Sequence, residues 1–148
     1  MLYTVGEMAK LLGVPASTLR YYDKEGLLPF VERSSGGMRM FKDGDYEWLK
    51  TIECLKKTGM PLKDIRTFVR MSMEGDSTID NRLTMIRSQR ESVMQQLAEL
   101  QQVLDTLDFK CWYYETAQAA GTTEVPRNMP LSQLPASFQE VRKRLRNE

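Results

Sequence analysis

Residues 17 to 28, STLRYYDKEGLL, combine hydroxyl, cationic and aromatic side chains with residues typical of a protein core. In a helix, Leu19 and Tyr22 lie three positions apart and share one face, so both can pack inward. The remaining faces then carry Ser17, Thr18, Arg20 and Tyr21. Hydroxyl and guanidinium groups donate hydrogen bonds to phosphates and base edges, so the pattern predicts a nucleic-acid contact beside a packed face.

The segments before this stretch predict two short helices joined by a turn. Thr4 is expected to cap the first helix, and Glu7 stands three residues later, which is the capping-box spacing. Gly13 is expected to end that helix, and Pro15 suits the start of a second helix that runs to about Glu25. Two such helices with a glycine in the turn are typical of a helix-turn-helix.

A hairpin is predicted next, over residues 30–41, FVERSSGGMRMF. Two short β-prone runs flank SSGG, which supplies the turn. Arg33 and Arg39 flank the tip. A basic hairpin after a helix-turn-helix is typical of a winged helix, in which the wing makes a second contact with phosphates or the minor groove.

A second helix pair follows the hairpin. The first of these helices begins near Asp43 and is interrupted at residues 58–61, TGMP. The other carries apolar residues at helical spacing: Leu62, Ile65, Phe68 and Val69. We expect this pair to brace the wing and Gly75 to close the first domain.

The segment from Ser77 to Tyr114 contains no glycine or proline and repeats apolar residues every four and three positions. The heptad seam comprises Ile79, Leu83, Ile86, Arg90, Val93, Leu97, Leu100, Leu104, Leu107, Cys111 and Tyr114. A helix over this segment would be about 55 Å long and predicts a coiled-coil homodimer. Arg90 is the one charged seam residue. It should reach an acid or solvent across the dimer and so set the register.

Composition excludes several classes of function. The chain has a net charge of +1, so any nucleic-acid surface must be a local patch. It has two cysteines and no histidine, which excludes a disulfide framework and histidine-based catalysis or metal binding. No apolar run approaches the length of a membrane span, so we expect a cytoplasmic protein with no membrane contact. The sequence shows no phosphate-binding loop or nucleophile–base pair, so neither a cofactor nor an enzyme is expected.

The order of these parts resembles the MerR-type bacterial transcription regulators. Residues 3–72 carry the likeness, most specifically TLRYYDKEGLL, the wing pattern R-x-x-x-G-x-R-x-F, and LKKTGMPLKDI. The resemblance implies a homodimer joined by an antiparallel coiled coil, with two heads in successive major grooves of double-stranded promoter DNA. It further implies an activator that bends and undertwists an overlong promoter spacer, and so engages RNA polymerase indirectly.

The resemblance also assigns DNA-binding residues position by position. They are Thr4, Ser17, Thr18, Arg20, Tyr21, Arg33, Met38 and Arg39. Met38 and Phe41 stand where relatives often carry tyrosine, so this chain lacks the hydroxyl-to-phosphate bonds expected there, and the wing contact should be weaker.

The signal that such a regulator would sense is less well defined. Ser77 and residues 115–130 supply no cysteine at the positions where the metal-sensing members bind their ion, so no metal site is expected. Cys54 stands where an aldehyde- or thiol-stress-responsive branch carries a lone cysteine, and Lys56 and Lys57 lie nearby. The alternative is that Cys54 is a buried packing residue. Cys111 is interpreted as plain packing in the seam.

A small apolar or electrophilic effector is a second hypothesis for the signal. Trp112, Tyr113 and Tyr114 could stack on such a molecule, although aromatic residues at the end of a coiled coil also pack against the other subunit.

The sequence therefore predicts a mainly α fold in three parts. These are a winged helix-turn-helix domain over residues 1–75, a coiled-coil dimerisation helix over 76–115, and a short C-terminal effector or tail segment over 116–148. The leading function is a sequence-specific, homodimeric transcription regulator that responds to stress. The alternatives are an effector-independent DNA-bending accessory factor of the excisionase type and a pure coiled-coil adaptor.

Overall fold

The computed structural model describes all residues, 1–148, and divides into two compact units, Met1–Val93 and Met94–Glu148. The first unit begins with β1 (Leu2–Thr4), α1 (Val5–Leu12), α2 (Ala16–Lys24), β2 (Glu32–Arg33), β3 (Arg39–Lys42), α3 (Asp43–Lys57) and α4 (Leu62–Glu74). Helix α5 (Ile79–Ala120) runs through both units, and α6 (Glu124–Asn128) and α7 (Ala136–Arg146) complete the second. Short 3₁₀ turns lie at Asp76–Thr78 and Leu131–Gln133. The predicted mainly α fold with a winged helix-turn-helix and a long helix is confirmed.

The helix-turn-helix has the predicted caps. Thr4 and Glu7 form the capping box at the start of α1, and the Glu7 amide donates to Thr4 Oγ1 at 3.3 Å. Gly13 ends α1 with a φ of 71°, a left-handed conformation that glycine adopts without strain. Helix α2 begins after Pro15 and ends at Lys24, close to the predicted end. Local capping residues therefore fix the geometry of the turn between the two helices.

The wing is part of a three-stranded antiparallel sheet with the order β1-β3-β2. Strand β3 pairs with β1 through Leu2 and Lys42, and with β2 through Arg33 and Arg39. The hairpin of β2 and β3 was predicted, whereas the N-terminal strand β1 was not. Its partner lies some forty residues away along the chain, so no local pattern could indicate it.

The core of the first unit gathers residues from both helix pairs and the sheet. Its most buried side chains are Met8, Leu19, Tyr22, Leu27, Phe41, Leu49, Ile52, Ile65 and Val69. Trp48 of α3 lies between Phe30 and Phe68, with ring centroids 6.3 and 6.4 Å away. The second helix pair thus supports both the recognition helix and the wing.

Helix α5 extends beyond its predicted end. The seam was expected to stop at Tyr114 and a connector to begin at Thr116, but the helix continues to Ala120 and ends before Gly121. Residues 115–120, ETAQAA, contain no glycine or proline and are compatible with helix even where the heptad pattern stops. The seam itself is exposed in the single chain: Leu97 and Leu100 are 62% and 65% exposed.

The C-terminal residues pack on another face of α5. Phe109, Leu134 and Val141 form a small core, with Trp112, Tyr113, Met129 and Phe138 packed against it. Arg144 Nη2 lies 3.4 Å from the carbonyl oxygen of Gln102. Residues 121–148 therefore fold back against the last part of α5. No helix in the structure is both long and apolar enough to cross a bilayer.

Candidate nucleic-acid interface

Helix α2 separates a packed face from an exposed one, as predicted. Leu19 is 1% exposed and Tyr22 is fully buried, and both belong to the core. Ser17, Arg20 and Tyr21 are exposed, and Thr18 is half-buried beside them. The hydrogen-bonding side chains are thus presented outward from a helix whose other face is fixed by close packing.

A polar contact anchors the C-terminal end of α2 to α4. Arg66 Nε donates to the backbone carbonyl oxygen of Glu25 at 2.6 Å, and Arg66 Nη2 lies 3.6 Å from the Glu25 carboxylate. The guanidinium thereby satisfies a carbonyl at the helix end that has no partner within the helix. The position of the recognition helix therefore depends on α4 as well as on the apolar core.

Tyr22 also makes a polar link from α2 to α3. Its hydroxyl donates to Glu53 Oε1 and accepts from Lys56 Nζ at 3.1 Å. Burial, reinforced by the hydrogen bond to Glu53, raises the pKa of the Tyr22 hydroxyl above its ordinary value. The hydroxyl therefore stays protonated and can act as a donor to Glu53 at neutral pH.

The two wing arginines converge on one carboxylate of α2. Arg33 Nη2 and Arg39 Nε lie 2.9 and 2.6 Å from Asp23 Oδ2, and Arg33 Nη1 donates to the carbonyl oxygen of Gly37 at 3.0 Å. Met38, at the tip, is 58% exposed. Arg33 and Arg39 of the wing are therefore held together at Asp23 of α2, the recognition helix.

Phe41 differs from its expected setting. Residue 41 was expected to be a place where a tyrosine hydroxyl could bind phosphate, but the Phe41 side chain is completely buried in the core. A side chain at this position points inward because it lies on the covered face of β3. The absence of a hydroxyl at residue 41 therefore gives no reason to expect a weaker wing contact.

Thr4 is assigned by resemblance to the DNA-binding set, and its hydroxyl is engaged within the capping box. Thr4 Oγ1 lies 2.9 Å from Glu7 Oε2, and the Thr4 amide donates to the same oxygen at 2.8 Å. These hydrogen bonds from the backbone and side chain of Thr4 lower the pKa of the Glu7 carboxyl.

Cys54 lies on α3, and in the single chain its side chain is exposed rather than packed in the core. It lines an apolar groove of about 360 Å³ together with Leu55, Ile86 and Val93, and Arg90 lies at the same groove. Lys56, expected near the thiol, instead directs its ammonium group to Tyr22, 5.1 Å from the ring centroid.

The aromatic segment at the end of α5 is divided between two environments. Trp112 and Tyr113 pack near Phe109, with centroid distances of 6.0 and 6.2 Å. Tyr114 is 59% exposed and lines an open cleft of about 710 Å³ together with Cys111, which is also exposed. The Tyr113 and Tyr114 rings remain in contact, with centroids 5.2 Å apart, but of the three predicted effector residues only Tyr114 lines the cleft.

Three polar residues that hold the interface in place were not predicted from the sequence: Asp23, Glu53 and Arg66. Each acts across a long stretch of chain, so local periodicity carried no signal for it. Asp23 could have been found from charge, because an acid near the end of a recognition helix that is followed by two wing arginines indicates an ion pair.

No cluster of three or more Cys, Asp or Glu side chains forms a metal site in the structure.

The fold and this surface define a winged helix-turn-helix DNA-binding protein. The family profile of MerR HTH regulatory proteins matches residues 3–72, and a second profile, MerR, DNA binding, matches residues 46–108. The chain belongs to the MerR family of transcription regulators and is a DNA-binding protein rather than an enzyme.

Individual relatives support the assignment to this family. An HTH-type transcriptional regulator of Haemophilus influenzae is 45% identical over 88% of this chain and 96% of its own length. AdhR of Bacillus subtilis is 30% identical over 62% of this chain and 65% of its own. The crystal structure of HiNmlR, a MerR family regulator lacking the sensor domain and bound to promoter DNA, is 46% identical. It superposes with a TM-score of 0.74, covering 84% of this chain and 98% of that one.

The link between Tyr22 and α3 predicts that Tyr22→Phe lowers the free energy of unfolding by about 1 kcal/mol at pH 7, because Glu53 loses its donor. The folded-state pKa lies above the ordinary value of 10.0. The stabilisation by the hydroxyl is therefore complete below pH 10 and is lost as the pH rises further, so the gap between parent and variant should narrow. Urea unfolding of the parent and the variant at one protein concentration measures this difference in the free energy of unfolding. Tyr46→Phe, at a partly exposed tyrosine of α3, is the control, and an equal loss in that variant would contradict the assignment.

Proposed function

We propose that the protein is a homodimeric, sequence-specific regulator that binds a promoter through α2 and the wing. The observation that carries the proposal is the exposed pair Arg20 and Tyr21 on a helix immobilised by Leu19 and Tyr22. Arginine is the residue that most often reads guanine in the major groove, and a fixed helix lets it approach one base pair repeatedly. HiNmlR, which is 46% identical to this chain, is bound to promoter DNA in its crystal structure, and this supports a promoter as the ligand.

Dimerisation through α5 is supported by the apolar surface that a single chain leaves uncovered. Leu97, Leu100, Leu104 and Leu107 are all at least half exposed. Burial of an apolar side chain of this size contributes roughly 1.5–3 kcal/mol, so a stripe of this length strongly favours association. A parallel, in-register pair would place two Arg90 guanidinium groups side by side, whereas an antiparallel pair separates them. We therefore favour the antiparallel arrangement.

Two heads on one dimer provide a route from binding to transcription. Each head would occupy one half-site, and the pair would hold the DNA bent and undertwisted over the promoter spacer. Smooth bending of a short site costs on the order of 1–6 kcal/mol, so both heads must be anchored. RNA polymerase would then engage the realigned promoter without a direct contact with this protein. An excisionase-type bending factor, the alternative, does not account for the seam of α5.

Cys54 is the proposed sensor residue of a stress-responsive regulator. Its exposure permits reaction with a soluble electrophile such as an aldehyde. It adjoins Glu53, the residue that binds the hydroxyl of Tyr22 on the recognition helix. A modification at Cys54 would therefore act next to a contact that positions α2. The competing effector hypothesis rests on Tyr114, which lines an open cleft in the second unit.

The proposed functional division of the chain follows these roles. Residues 1–75 bind DNA, residues 76–115 join the two subunits, and residues 116–148 form the C-terminal effector or tail segment. The DNA contacts proposed from the resemblance are Thr4, Ser17, Thr18, Arg20, Tyr21, Arg33, Met38 and Arg39.

The dimer is tested with Leu97→Asp. A charge in the seam should leave the protein monomeric and weaken binding to a two-half-site duplex about 100-fold, because the second head is no longer tethered. Sedimentation and duplex titration measure the two effects. The matched control is Ala98→Asp at the adjacent residue outside the seam, which should stay dimeric. A dimeric Leu97→Asp variant would contradict the proposed interface.

The DNA contacts are tested with two arginine variants on a duplex selected from a random pool. Arg20→Ala should cost about 1–3 kcal/mol of binding and relax the preference at one base pair. Arg33→Ala should weaken binding and lower the salt slope by about one, because one phosphate contact is lost. Fluorescence anisotropy at several salt concentrations separates these outcomes. If both variants bind like the parent, the contact assignment is wrong.

The sensor is tested by in vitro transcription from the promoter upstream of the gene, with and without an aldehyde. Cys54→Ser should retain operator binding and lose the response, because serine is a much poorer nucleophile than a thiolate. Cys111→Ser removes the other exposed thiol and should respond normally. If Cys54→Ser responds like the parent, Cys54 is not the sensor, and the cleft lined by Tyr114 becomes the candidate effector site.

A further inference from the structure

We propose that Asp23 positions the wing relative to the recognition helix, so that DNA recognition depends on an acidic residue in the middle of a basic surface. The inference rests on the proposed DNA-binding function of α2 and the wing. It concerns a residue outside the assigned DNA contacts, which are hydroxyl, cationic, aromatic or thioether groups.

The geometry places Asp23 where the two elements meet. One oxygen, Oδ2, lies 2.9 Å from Arg33 Nη2 and 2.6 Å from Arg39 Nε. The two arginines are register partners across β2 and β3, so their like charges are brought together by strand pairing itself. A carboxylate between them offsets that repulsion. The same bond that stabilises the hairpin therefore also attaches it to α2.

The burial of this cluster makes the attachment more than a surface ion pair. The side chains of Asp23 and Arg39 are 20% and 23% exposed, and only Arg33 is more open, at 52%. Charge-assisted hydrogen bonds between partly buried groups are shorter and stronger than ordinary ones. Arg39 is therefore the more enclosed of the two arginines, while Arg33 keeps an exposed side toward solvent.

The wing needs such an attachment because its own structure is small. Strand β2 has two residues, and an isolated two-stranded hairpin is marginally stable at best. Residues 35–38 at the tip are exposed and contribute nothing to the core. Arg33 bridges this tip and α2, because its Nη1 donates to Gly37 while its Nη2 binds Asp23. The orientation of the tip is thereby linked to the end of the recognition helix.

Electrostatics alone predicts the opposite role for Asp23. A negative charge among Arg20, Lys24 and the wing arginines repels phosphate, and its removal should tighten binding to any DNA. A positioning role predicts weaker binding to the cognate sequence, because the wing no longer lies at a fixed place when α2 is in the groove. The two interpretations differ in sign and can be separated.

The experiment compares Asp23→Asn with Glu32→Gln. Glu32 lies on the same hairpin and is paired with Lys42 at 2.7 Å, so its variant removes an equal charge without a contact to α2. Affinities for the selected duplex and for a random duplex are measured by anisotropy at several salt concentrations. Asp23→Asn should bind the selected duplex about tenfold less tightly and the random duplex at least as tightly, so the ratio falls. Glu32→Gln should change both affinities alike. A preserved ratio in Asp23→Asn would overturn the inference.

Two further variants keep the result decisive. Asp23→Glu retains the carboxylate and should recover part of the ratio, whereas general destabilisation would not be rescued. If Asp23→Asn fails to fold by circular dichroism, Asp23→Ser tests the same contact, because serine also removes the carboxylate and Asp23 is not one of the assigned DNA contacts. It should reduce the ratio as well, and an unchanged ratio would overturn the inference. If the parent itself selects no sequence, the proposed function fails instead.

Discussion

Helix α5 carries more apolar surface than its own chain covers. On one face, Phe109 and its aromatic neighbours are buried beneath the C-terminal residues. On another, the leucines of the seam remain exposed along the helix. Water imposes a large free-energy cost on such a stripe, and a long isolated helix gains little from its intrinsic propensity. The rest of the proposed regulator depends on this constraint, because pairing of the seam is what would bring two reading heads together on one DNA.

Within the first unit, the recognition helix is held by three kinds of contact. Leu19 and Tyr22 supply apolar burial, Arg66 binds the carbonyl at the helix end, and Asp23 ties the helix to the wing. The Tyr22 hydroxyl joins this set through α3, the same helix that presents Cys54 to solvent. Helix α3 therefore connects the exposed thiol to the recognition helix within one compact unit. A chemical change at the Cys54 thiol would occur one residue away from the Glu53 contact with α2.

The features that could be predicted from the sequence depend on residues that lie close together along the chain. Thr4 with Glu7, and Gly13 after α1, identify the first helix because capping acts within one turn. The face of α2 followed from the three-residue spacing of Leu19 and Tyr22. Residues 30–41 predicted the hairpin, since a turn sequence lies between two β-prone runs.

Non-local contacts account for what the sequence left open. Strand β1 forms because Tyr3 meets Phe41, and no pattern in three residues indicates that pairing. Periodicity placed the end of α5 at Tyr114 because the heptads stop there, yet backbone hydrogen bonding needs no heptad and continues to Ala120. For Trp112 the sequence left open an effector contact or packing against another subunit. Phe138 packs against it at 5.8 Å instead, and neither hypothesis included this residue because it lies 26 residues further along the chain. Helix α7, which carries Phe138, therefore covers the aromatic face of α5 as a segment tethered to it. An intramolecular ligand on a short connector competes at an effective concentration on the order of millimolar. A free aromatic compound would have to displace Phe138 to reach the face of Trp112 that it covers.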